Sequence, residues 1–77
     1  MSVQAYVFIE TDHGKAKDVN NQIRKLSFVK RCHVVTGPYD LVALIDAPDI
    51  STLGEDLVAK LQIIPGVIKS LSNIVVG

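Results

Sequence analysis

Cysteine is nearly absent from this sequence. Cys32 is the single one, so no disulfide within the chain can brace the fold, and a lone thiol suits a reducing compartment such as the cytoplasm. Long apolar runs are missing too: the longest is five residues, against the roughly 20 that a membrane-spanning helix requires. Residues 1–4 carry no basic segment of the kind that opens a signal peptide. Excess charge of one sign is lacking, since eight Lys and Arg balance eight Asp and Glu. No overall field draws in nucleic acid. Glycine-rich phosphate loops are absent, because Gly37 and Gly66 stand alone. Two histidines and one cysteine without ligand spacing do not make a metal site. The expectation is a cytoplasmic protein with no membrane segment, no metal and no cofactor.

What the sequence has is apolar side chains in short, periodic groups. Its 77 residues make one domain, with 48% hydrophobic and 21% charged residues. A chain of this size buries only about 60% of the surface its unfolded form exposes. It is marginal alone, and with disulfides excluded, association is the remaining support.

Residues 3–9 alternate as a first strand, with Val3, Ala5, Val7 and Ile9 on one face and Gln4, Tyr6 and Phe8 on the other. Asp12 is positioned to cap a first helix, in which Ala16, Val19, Ile23 and Leu26 form one apolar stripe. Residues 28–36 read as a second strand and residues 40–46 as a third, which Ala47-Pro48-Asp49 breaks. Ile50, Leu53, Leu57, Leu61 and Ile64 repeat the helical spacing, with Gly54 inside the helix and Pro65-Gly66 ending it. Residues 67–76 form a fourth strand, and Ser70, Ser72 and Asn73 give it the polarity of an edge. The order βαββαβ with interleaved halves predicts an α+β, ferredoxin-like antiparallel sheet in the order 4-1-3-2, with two helices on one face. Two helices cover one face only. Tyr6 and Phe8 leave the other apolar, and an apolar face of several hundred Å² is unusual on a soluble monomer. A second subunit is expected to cover it, with Tyr6 and Phe8 in the dimer interface.

Few residues carry chemistry. Cys32 and His33 are neighbours in a strand, so they point to opposite faces and make no nucleophile–base pair. Cys32 reads as core and His33 as surface or interface. Glu55 and Asp56 read as the solvated side of a helix. Six of the eight basic residues fall between Lys15 and Arg31, without interleaved aromatics to stack bases, so they read as a solvated surface. The most distinctive stretch is Thr36-Gly37-Pro38-Tyr39-Asp40, a tight turn leading into five consecutive apolar residues from Leu41. It admits two readings. Gly37 and Asp40 simply make a hairpin turn, or the turn's amides meet a carboxylate while Asp40 meets an ammonium. Ser70 and Ser72, on one face of the last strand, would then add hydroxyls.

The stretch from Val35 to Ala43, the later Pro65-Gly66-Val67, and the last strand from Ser70 to Val76 together resemble the effector-binding domain of the Lrp/AsnC family, also called RAM. The family pattern runs close to T-G-x-Y-D-L, P-G-V and T-x-T-x-I-V, and the resemblance covers nearly the whole chain. It implies a dimeric α+β barrel that assembles further, into octamers or similar rings, with amino acids bound where dimers meet. The implied ligand-binding residues are Thr36, Gly37, Tyr39, Asp40, Ser70 and Ser72, the serines standing where the family has threonines. The family's helix-turn-helix domain has no counterpart in these residues. The resemblance is therefore to a stand-alone form that binds no DNA directly and acts through a full-length Lrp/AsnC regulator. Two further classes stay open: a small dimeric α+β barrel enzyme of monooxygenase or isomerase type, for which no acid–base pair is evident, and a purely structural oligomer.

Overall fold

The structure, a computed structural model, describes residues 2–77. Strand β1 (Val3–Thr11) is followed by helix α1 (Ala16–Arg24), strands β2 (Val29–Val34) and β3 (Leu41–Ala47), a second helix, and strand β4 (Val67–Ile74). The second helix is continuous through α2 (Ile50–Thr52), a π-helical segment (Leu53–Leu57) and α3 (Val58–Gln62). All strand pairings are antiparallel and the sheet order is β2-β3-β1-β4, the expected order read from its other edge.

Alternation along β1 sorts the side chains onto two faces. Ala5, Val7 and Ile9, fully buried, lie opposite Ile45, Ala43 and Leu41 of β3. They form one core with Val19 and Ile23 of α1 and with Leu53, Leu57 and Leu61 of the second helix. Each of those five helix side chains contributes on the order of 2 kcal/mol by leaving water. Cys32 is 1% exposed within the same cluster.

Three local features differ from the sequence expectation. Asp12 does not cap α1 through its side chain. Lys15 holds the cap position and makes no side-chain cap bond. The Lys15 amide instead donates to the Asp12 carbonyl at 3.0 Å, a turn that starts the helix three residues later. The second helix contains a π turn, closed by the Val58 amide on the Leu53 carbonyl. Leu53, Leu57 and Leu61 recur every four residues, which overshoots an α-helical turn by about 0.4 residue each time. The wider turn takes up that drift and keeps all three on the core. The connection between β2 and β3 is six residues, 35–40, closed by the Val35 amide on the Asp40 carbonyl at 2.9 Å, and is wider than a tight turn.

Asp49 does more than end the third strand: it caps the second helix. Its carboxylate accepts from the Thr52 amide at 2.7 Å, and this hydrogen bond holds its pKa below the ordinary 3.8. At the far end Gly66 has φ +99°, and a Cβ there would stand 2.9 Å from Val19 Cγ2. Its carbonyl accepts from the Asp12 amide at 2.8 Å, so the 65–66 turn is clamped against the start of α1.

Candidate functional site

The loop at residues 35–40 lies against the C-terminal end of β1, and Asp40 fixes it there with two bonds to β1 and closes it with a third. The Asp40 amide donates to the Ile9 carbonyl at 3.0 Å, and its carbonyl closes the loop on Val35. Its carboxylate oxygen Oδ2 accepts from the Thr11 amide at 2.8 Å. Half of the Asp40 carboxylate is thus a latch between loop and sheet, and Oδ1 has no hydrogen-bond partner among the described residues. The Thr36, Gly37 and Tyr39 amides donate to no backbone acceptor among the described residues. Thr36 and Gly37 are exposed, and Gly37 has φ +123°, a conformation that glycine adopts without strain. Thr36 and Gly37 offer two successive free amides, Pro38 has no N–H, and the Tyr39 amide follows it; adjacent free amides in such a loop can receive a carboxylate.

Tyr39 packs on Phe8 with ring centroids 5.9 Å apart at 44°. Phe8 lies opposite Val42 and Leu71, on the sheet face away from the helices. Tyr6, 42% exposed, and Leu71, 49% exposed, share that face. The loop therefore stands at the rim of the apolar sheet face.

Ser70 and Ser72 are placed differently. They lie opposite Ile9 and Val7, so they belong to the helix side of the sheet, and Gln62 Nε2 donates to Ser70 Oγ at 3.2 Å. Thr36, Gly37, Tyr39 and Asp40 are brought together, whereas the two serines sit two strands away from Asp40 on the opposite face from Tyr39. Within one chain these six residues do not close around one small ligand.

Cys32 and His33 are separated by the sheet as expected, one buried and the other exposed. Burial pushes the Cys32 thiol up to about 11, against a smaller opposing pull from Arg24. No group of three potential metal ligands occurs among the described residues, and no helix is long and apolar enough to cross a membrane. A shallow groove lined by Ser2, Val3, Gln4, Ile50, Ile74, Val75 and Val76 lies at the opposite end of β1, roughly 20 Å away along the strand. Among the described residues its lining has no charged side chain to pair with either end of a zwitterion.

The sequence model of the Lrp/AsnC ligand binding domain matches residues 4–77. The chain belongs to the Lrp/AsnC ligand-binding family. Solved structures agree on the fold. TTHA0845 from Thermus thermophilus superposes with a TM-score of 0.89 at 27% identity, over 97% of this chain and 94% of that one. The hypothetical protein PHS023 from Pyrococcus horikoshii gives 0.87 at 24% identity, over 97% and 90%. AsnC of E. coli gives 0.88 at 20% identity over 97% of this chain but 51% of its own, so the RAM fold here spans about half the length of that regulator. No curated protein matches the sequence.

Proposed function

We propose that this RAM domain binds a free amino acid at the 35–40 loop and transmits its presence through assembly, without catalysis. The observation that carries the reading is that one six-residue loop holds the Thr36, Gly37 and Tyr39 amides and an Asp40 oxygen, all without hydrogen-bond partners among the described residues. A zwitterion needs donors for its carboxylate and an acceptor for its ammonium, and this loop offers both. Tyr39 walls the site beside Phe8.

The site is completed between subunits. Two copies pair through the face bearing Tyr6 and Phe8, and dimers meet so that Ser70 and Ser72 of one chain approach the loop of another. The placement of the serines on the helix side supports a contribution to a neighbour's site rather than to their own. The transcriptional effect is exerted in the cytoplasm through mixed assembly with a full-length Lrp/AsnC regulator that carries the DNA-binding part.

Isothermal titration calorimetry against the twenty amino acids tests this, with Asp40→Asn as the decisive variant. Asparagine keeps an oxygen for the Thr11 amide and removes the charge. A charge-assisted hydrogen bond is worth about 1.5–3 kcal/mol, so Asp40→Asn should stay folded and bind roughly ten- to a hundredfold more weakly. Equal affinity would leave Asp40 as a latch only.

A further inference from the structure

The charges of this neutral protein are separated in space. Residues 15–31 hold six cations and one carboxylate, a net +5, and the rest of the chain carries the matching −5. On α1, Lys17, Asn21 and Arg24 fall at spacings of four and three on the side opposite Val19 and Ile23, and all three are exposed. On the second helix, Glu55 and Asp56 are exposed beside the short side chains of Ser51, Gly54 and Ala59; Asp56 shares its charge with Lys60 one turn on, while Glu55 has no cation within ion-pair distance among the described residues. The acidic surface continues to Asp49 at the cap. The ion pairs among the described residues are Lys30 to Asp46 at 3.7 Å and Lys60 to Asp56 at 3.6 Å. Lys17, Arg24 and Lys25 thus have no carboxylate within ion-pair distance among the described residues. Both helices lie on the sheet face away from Tyr6 and Phe8, so these surfaces stay free when the open sheet face is covered.

We propose that the basic outer face of α1 docks on the acidic outer face of the second helix of another copy. The occupant follows from charge complementarity. One surface of the chain carries an excess of cations and the other an excess of carboxylates, of which Lys60 offsets one, and the dimensions agree: Lys17 to Arg24 and Asp49 to Asp56 are each seven positions apart, or about 10 Å of helix. Because each copy carries both surfaces, a two-fold arrangement satisfies both at once, and a head-to-tail arrangement joins copies into rings. This contact is separate from pairing through the sheet and does not depend on an effector. It is sensitive to salt, since its charges are solvent-exposed and the screening length shrinks from about 10 Å at 0.1 M to about 3 Å at 1 M ionic strength.

Light scattering after size exclusion tests the contact on the unmodified protein at low and high salt, so no variant has to fold for the first result. Added salt should at least halve the mass. At low salt, Lys17→Glu with Arg24→Glu should reduce the mass as high salt does, and so should Glu55→Lys with Asp56→Lys. Mixing these two charge-swapped proteins should restore the larger assembly, because their altered faces complement each other. A mass indifferent to salt and to both double variants overturns the proposal. So does failure of the mixture to recover, which would show that the α1 face meets something other than the second helix. Salt-sensitive retention of a DNA duplex by α1, with no salt-dependent change in mass, would assign the face to a polyanion and also overturn it.

Discussion

Asp40 serves two demands that pull its substitutions apart. Its Oδ2 satisfies the amide of buried Thr11, and leaving such a donor unpaired costs about 1–3 kcal/mol. Asp40→Ala should therefore lower stability by about that much in urea denaturation, while Asp40→Asn should hold within about 0.5 kcal/mol of the parent. Equal stabilities of Ala and Asn would show that the latch contributes nothing. Cys32 makes the complementary case. With its thiol ionising near pH 11 instead of 9.0, the folded state holds this proton where the unfolded state releases it. The stabilisation is intact below pH 9 and declines as the pH rises from 9 towards 11. At pH 8 the thiolate fraction is about a hundredfold below that of an ordinary thiol, and burial slows access further. Native protein should thus resist a thiol reagent that labels the unfolded chain within minutes. Rapid native labelling would contradict this.

Among the elements, the second helix and its two glycines give opposite expectations. Gly54 lies in the π turn with nothing within 4 Å of an added Cβ. It makes no close approach inside the chain, so Gly54→Ala should stabilise by about 0.5–1 kcal/mol. Gly66 has φ +99° and the Val19 side chain at 2.9 Å from an added Cβ, so Gly66→Ala should cost about 1–3 kcal/mol in strain alone. Thermal denaturation of the two variants reads both signs. A destabilising Gly54→Ala in a correctly folded protein would mean that a second chain packs closely there.

At the scale of the whole molecule, the sheet presents Tyr6, Phe8, Val42 and Leu71 together on the face the helices leave open. A small chain gains most by covering such a face with its own copy. Phe8→Asp places a charge in the middle of that face, beside Tyr39. It should abolish pairing through the sheet, leaving monomers at micromolar concentration in high salt, where the contact between helices is released, or unfold the chain. Unchanged mass by light scattering would place the subunit contact elsewhere. Pairing through the sheet should persist in high salt in the parent, which distinguishes this contact from the one between helices.

The sequence by itself determined the elements and their order. Strict alternation of Ala5, Val7 and Ile9, and the spacing of four that relates Val19 to Ile23 and Leu53 to Leu57 and Leu61, bury all eight side chains together in a sheet with helices on one side. The Gly-x-Tyr-Asp loop was legible as a feature because glycine, proline and aspartate are needed where a chain must turn. What the tertiary structure alone decided are relations between distant residues. That Asp40 bonds the Thr11 amide rather than its own loop depends on where β1 ends beside β3. That Ser70 and Ser72 turn to the helix side, away from Tyr39, follows from the register of β4 on β1. Slipping it by one residue would send both serines to the other face, and spacing within a strand carries no information about its partner's register. The π turn likewise appears only once three leucines, four apart, must all meet the same sheet.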